Sequence, residues 1–212
     1  MPTGNRILPI AVFACGVALT SQVARAADWL NAGGDSQRSN WQRREKVITT
    51  ANAKNLQLIW KLKLNPADRD LTAPVILGHL VTNRGKKELI YIADSDNNVY
   101  SVDADLGRLF WKRGIQTEGS SCPSRAVSIL TAAPALTPGP PLPPGATEED
   151  EDAPEPLRPL YVLSSDGMLH KMHPGTGADL ADPRKFVPAG SSPTDLLLYS
   201  DTVYTTTRVG CG

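Results

Sequence analysis

Apolar and polar positions alternate most clearly in residues 89–111, LIYIADSDNNVYSVDADLGRLFW. Leu89, Ile90, Tyr91, Ile92 and Ala93 make an apolar run rich in strand-forming side chains. DSDNN at 94–98 is turn chemistry, because Asn and Asp tolerate positive φ and hydrogen-bond their own backbone. VYSV at 99–102 reads as the return strand, DADLG at 103–107 as a second turn, and Arg108 opens a further strand. The pattern predicts a β-meander.

The meander has an echo. A shift of 70 positions puts Tyr91 on Tyr161, Ser95 on Ser165, Asp96 on Asp166 and Gly107 on Gly177. A partial third copy follows 43 positions later, where Tyr204 answers Tyr161 and Gly210 answers Gly167. A recurring spacing of this kind marks an array of units, none able to bury its apolar face alone. Three unrelated hairpins sharing common turn residues would leave similar marks. Upstream, Leu56, Leu58, Trp60, Leu62 and Leu64 fall on one face at period two, which predicts a half-buried strand. TAAP at 131–134 repeats the flavour of LTAP at 71–74 and predicts an inner strand beginning near residue 129.

Residues 101–111 resemble the tryptophan-docking motif of dehydrogenases dependent on pyrroloquinoline quinone (PQQ) and their relatives, Ala-x-Asp-x-x-x-Gly-x-x-x-Trp. Ser101 stands for the Ala, and Asp103, Gly107 and Trp111 match. In that family each such Trp packs between neighbouring blades of a ring. The resemblance implies an all-β fold, a β-propeller of four-stranded antiparallel blades, with about three blades present and the ring incomplete. The second copy departs from the motif, with His173 in the Asp place and Ala181 in the Trp place. Residues 28–41, with Trp29, Gly33-Gly34-Asp35 and Arg38-Ser39, resemble the opening of such propellers, where the N-terminal strand often completes the last blade. Asn52, Leu56 and Trp60 resemble the family near its first blade. Residues 72–76, TAPVI, resemble the strand that lines its central channel. The dehydrogenases carry a Glu shortly before this Pro, in contact with the quinone, and several carry an adjacent Cys pair there. This chain has Asp70, Leu71 and Thr72 instead and no such Cys pair, so no cofactor role passes to Asp70.

Residues 1–26 read as a secretory signal, with Arg6 before a short apolar run and Ala24-Arg25-Ala26 as a cleavage site; a retained anchor is the alternative. Cleavage would leave 20 basic against 22 acidic residues. No basic face is visible, which argues against nucleic acid as a partner. No later stretch is apolar enough to cross a membrane. The expected location is periplasmic or secreted. Of the 3 cysteines, Cys122 and Cys211 remain after cleavage, and an even pair in an exported chain suggests a disulfide. Two free thiols, or a partner Cys elsewhere, remain open. Residues 137–157, TPGPPLPPGATEEDEDAPEPL, are Pro-rich and then acidic, and predict an exposed, disordered insertion.

Little in the sequence points to chemistry. His170 and His173 lie three apart on a predicted strand and turn, where they point different ways, and no third metal ligand is in view. The pattern stops within the third copy, which suggests part of a longer ring or a ring closed by oligomerisation. The favoured reading is an exported scaffold that binds a protein or small-molecule ligand at the propeller face or channel, without catalysis. The alternative is the N-terminal part of a quinoprotein dehydrogenase that oxidises an alcohol or sugar with PQQ and Ca²⁺.

Overall fold

The computed structural model describes residues 28–43, 45–64, 71–117, 129–132, 157–189 and 191–208. Four strands, β1 (Val75–Thr82), β2 (Gly85–Ala93), β3 (Asn98–Asp103) and β4 (Arg108–Gly114), pair in chain order, each antiparallel to the next. A second sheet repeats the order with β5 (Ile129–Ala132), β6 (Leu160–Leu163), β7 (Met168–Met172) and β8 (Arg184–Lys185). β9 (Ser192–Tyr199) and β10 (Thr202–Arg208) form a hairpin. Helix among the described residues is one 3₁₀ turn, Ala53–Asn55. The protein is therefore all-β, with antiparallel sheets of four strands. The expected meander with turns at 94–98 and 103–107 is present, and so is a strand beginning at residue 129.

Alternation decides which sheet faces which. Along β2, Leu89, Tyr91 and Ala93 are fully buried while Ile90 and Ile92 are half-buried. The first set joins Val75, Leu77 and Val99 of its own sheet and Ala132, Leu160, Val162 and Met172 of the second in one continuous core. On β6 the register then splits the side chains between two neighbours, as a period of two requires. Leu160 and Val162 face the first sheet, whereas Tyr161 and Leu163 pack with Leu196 and Val203 of the β9–β10 hairpin. Each sheet thus buries one face on the next. The tight β9–β10 turn uses Ser200 and Asp201 at φ 45° and 60°, the left-handed conformation that two-residue hairpins demand.

In the segment before β1, Trp29 exchanges backbone bonds with Ile76 on the free edge of β1 (2.9 and 2.8 Å). The Leu30 carbonyl accepts from the Ala132 N–H at 2.9 Å and the Thr131 hydroxyl at 3.1 Å on β5. Asp28 holds the Gly78 N–H at 3.0 Å and pairs with Arg158, and Arg38 pairs with Asp195 on β9. Residues 28–38 form a strap across the first strands of all three sheets. The expected half-buried strand at 56–64 is corrected. These residues join no sheet among the described residues. Leu56 is 64% exposed, Leu58 82% and Ile59 88%, whereas Trp60, Leu62 and Leu64 are half-buried and alternate with the exposed Lys61 and Lys63, so the alternation holds over residues 60–64 although no strand forms.

The signal at 1–26, Asp70, Cys122, Cys211 and residues 137–156 of the acidic insertion lie outside the described residues. No helix among those described is long and apolar enough to cross a membrane.

Two glycines show what the sheet contacts require. Gly107 has φ +61°, and a methyl group there would run into the Trp60 ring; Gly85 has φ +89° with open space around it. Left-handed backbone alone costs an alanine about 1–2 kcal/mol. Gly107→Ala should therefore destabilise by about 2 kcal/mol more than Gly85→Ala, since it also displaces a packed indole. Urea titration of both variants measures the difference.

Candidate functional site

Of the sequence-predicted docking residues, Ser101 and Trp111 stand at the junction between the first two sheets, whereas Asp103 and Gly107 belong to the turn that holds Trp60. Tyr91, Ser101 and Trp111 stand side by side on β2, β3 and β4. The small Ser101 between them lets the two rings meet, with centroids 5.9 Å apart. The Trp111 indole N–H donates to the Pro174 carbonyl at 2.8 Å, and the Tyr91 hydroxyl donates to the same oxygen at 3.1 Å. Pro174 belongs to the turn after β7. Gly177 in that turn has φ +73°, and a Cβ there would sit 3.0 Å from the Trp111 ring. Beside it, Arg113 donates to the Gly177 carbonyl at 2.6 Å and pairs with Asp179.

The same construction occurs one sheet earlier. The Trp60 indole donates to the Ala104 carbonyl at 2.8 Å and packs where Gly107 leaves room. Asp103 shapes that turn, accepting from the Asp105 and Leu106 N–H groups at 3.1 and 3.0 Å and from Lys87 at 2.9 Å. In the second turn His173 takes over the acid's role, with its Nδ1 accepting from the Gly175 N–H at 3.0 Å. Asp103 and His173 thus cap the residue two positions on in the same way. The departure from Asp therefore leaves the docking turn intact.

At the opposite end of the sheets the turns 94–98 and 164–168 form a second polar cluster. The Asp94 carboxylate accepts from the N–H groups of Asp96 (2.9 Å) and Asn98 (2.8 Å), the Asn98 amide (2.9 Å) and the Tyr100 hydroxyl (2.7 Å). Burial pushes this carboxyl up, but those bonds outweigh it and hold the group below the ordinary carboxylate range. Burial likewise raises Asp103, and Lys87 with the Leu106 and Asp105 N–H groups brings it below. Asn97 ties the two turns together, donating to the Ser165 hydroxyl at 2.7 Å and accepting from its N–H at 2.9 Å.

In the second sheet Ser164 and His170 occupy the places of Asp94 and Tyr100. The Ser164 hydroxyl lies 3.3 Å from His170 Nε2, and His170 Nδ1 lies 3.4 Å from Asp179. A Ser-His-Asp series of this kind is the geometry of a nucleophilic triad, which the sequence reading did not find. Its detail is that of a brace. Ser164 is buried, and its nearest acceptor is Asp166 at 2.5 Å, not the histidine. The Met168 carbonyl, at 3.0 Å, is the alternative acceptor for the same hydroxyl proton, and Asp166 in turn accepts the Met168 N–H at 3.2 Å, so these bonds stay within the turn. The 70-residue offset between Asp94 with Tyr100 and Ser164 with His170 was the available signal. His170 and His173 serve separate turns, as their predicted orientations imply. A cleft of about 510 Å³ opens beside the brace, lined by Gln116, Asp166, Met168, His170, Pro183 and Lys185.

Fold and site together define a class, an all-β protein of repeated antiparallel meanders joined by docked indoles. Compared with models of known families and with curated proteins, the sequence matches none.

The depressed carboxyls carry a pH signature. A group whose pKa is lower folded than unfolded contributes fully above the unfolded value, about 4 for a carboxylate, and loses that contribution as the pH falls through the folded value. Urea midpoints of the wild type should therefore fall more steeply below about pH 4 than those of Asp94→Asn. Equal slopes would remove Asp94 from the account.

Proposed function

We propose that the protein is an exported repeat protein of β-propeller type that serves as a binding scaffold. The observation that carries the reading is the repeated lock, in which Trp60 and Trp111 each donate to the carbonyl one residue after a turn-capping side chain, at the same 2.8 Å. A lock that recurs from sheet to sheet is a device for building an array rather than a reaction centre. The ligand-facing end is the one with turns 94–98 and 164–168, where the cleft beside His170 offers polar groups to a small molecule or to a polar loop of a protein. Export rests on the leader-like residues 1–26.

The second reading is part of a PQQ- and Ca²⁺-dependent dehydrogenase, favoured because the docking of Trp111 against Gly177 is what resemblance to that family implies. PQQ bound in such an enzyme would accept a hydride from the substrate. The described residues do not fit its site. No three His, Cys, Asp or Glu side chains among them converge on a position for a metal ion. The free edges of β1 and β5, beside the expected channel strand, are taken by Trp29 and Leu30. The Thr72 hydroxyl accepts the Ala93 N–H at 3.0 Å and so braces β2. No step is assigned to the quinone here.

Calorimetric titration of the purified protein with PQQ, with and without Ca²⁺, separates the two. The scaffold reading predicts no saturable heat in either condition. Saturable, Ca²⁺-dependent binding would overturn it in favour of the dehydrogenase.

A further inference from the structure

The strap keeps its shape by bonds of its own. The Leu30 N–H donates to the Gly34 carbonyl at 3.2 Å, and the Gly34 N–H donates to the Asn31 carbonyl at 2.9 Å. The buried Asn31 side chain accepts the Gly33 N–H at 2.9 Å. Gly34 has φ +84°, and the Trp29 ring lies where a side chain on it would be. The Asn40 N–H closes the hook on the Gly33 carbonyl at 3.0 Å. Trp29 therefore packs on the strap itself, and Leu30 is the strap's apolar contact with the core.

Its hold on the sheets is made at few places. Trp29 and Ile76 form one isolated bridge, where a full strand would extend the ladder along β1. Gly78 has side chains for partners instead. Its N–H goes to the Asp28 carboxylate at 3.0 Å and its carbonyl accepts from Arg158 at 3.3 Å. Asp28 and Arg158, paired with each other, thus do for Gly78 what a neighbouring strand's backbone would do. Arg158 is buried and its Nε has no hydrogen-bond partner, so its hold on Asp28 is made by the rest of the guanidinium. At the other end of the strap Arg38 pairs with Asp195 of β9, where solvent reaches both side chains.

We propose that the strap is a latch, in which residues 28–38 open and close as one unit on a stack of sheets that stays folded beneath. A segment with a short ladder and few buried contacts opens at lower free energy than the sheets it covers. The hook's internal bonds survive in the open form, so opening breaks the contacts with Ile76, Gly78, Ala132 and Asp195 together and none within the strap. Both ion pairs then hold one moving part, and weakening either end loosens the other. Opening uncovers the N–H groups of Ile76, Gly78 and Ala132 on the first strands of two sheets. Bare strand edges invite unwanted pairing, and the closed latch guards them. The inference rests on the strap geometry and is independent of export or ligand binding.

Native-state hydrogen exchange of the full chain, followed amide by amide by nuclear magnetic resonance, tests this. The Ile76, Gly78 and Ala132 amides should share one opening free energy, lower than that of amides in the middle strands β2 and β3. Arg38→Gln breaks the ion pair at the far end of the strap, at an exposed position. It should speed exchange at all three amides about two- to fivefold, the range of an exposed ion pair, with β2 and β3 unchanged. Asp195→Asn breaks the same pair from the sheet side and should give the same factor, and the double variant should go no further. If the two ends fray separately, Arg38→Gln leaves Gly78 unchanged. If the strap opens only with the whole fold, the variant speeds β2 and β3 by the same factor. Either result overturns the proposal.

Discussion

The structure depends on a buried carbonyl oxygen that belongs to one sheet and is satisfied by another. Pro174 lies in a turn of the second sheet, and its partners, Trp111 and Tyr91, come from the first. A buried acceptor left unpaired costs about 1–3 kcal/mol, so the two sheets cannot slide or part without losing this bond and the packing of the indole. Truncating a buried indole to alanine costs about 3–5 kcal/mol in typical cores, comparable with much of a small domain's stability. The other residues of the junction follow from the need to seat that ring. Gly177 leaves room for it, Ser101 lets it meet Tyr91, and Arg113 fixes the turn through Gly177 and Asp179.

The strap and the far turns complete the frame. Residues 28–38 cross the first strands of all three sheets and anchor through Asp28 with Arg158 and Arg38 with Asp195. At the other end the Asp94 and Ser164 turns are braced from within and tied to each other by Asn97. These devices occupy the titratable groups with holding backbone in place. Asp94, Asp103, His170 and His173 all have structural partners.

Much of this was legible in the chain. Residues 89–111 alternate cleanly and carry Asn and Asp where the turns need them, so local chemistry alone marks the meander. The docking residues Asp103, Gly107 and Trp111 were recognisable through their resemblance to the motif of a known family. Other features depend on contacts between distant residues. Nothing local to His173 shows that its ring nitrogen can cap a turn as an aspartate does. Only the 70-residue offset links Ser164 and His170 to Asp94 and Tyr100. Residues 56–64 have a strand's period yet lack a partner, because period reports which face is apolar and not whether anything covers it. The strap was not legible for a similar reason, since its backbone bonds and its pairs with Arg158 and Asp195 join residues far apart in sequence.

The most direct test of the repeated lock is hydrogen exchange at the indole N–H groups, followed by nuclear magnetic resonance. Trp60 and Trp111 donate to buried-side carbonyls, whereas Trp41 is 66% exposed. The account predicts that the Trp60 and Trp111 indole protons exchange many times more slowly than that of Trp41, and that Gly177→Val speeds exchange at Trp111 while leaving Trp60 protected. Exchange at Trp111 as fast as at Trp41 in the wild type would contradict it.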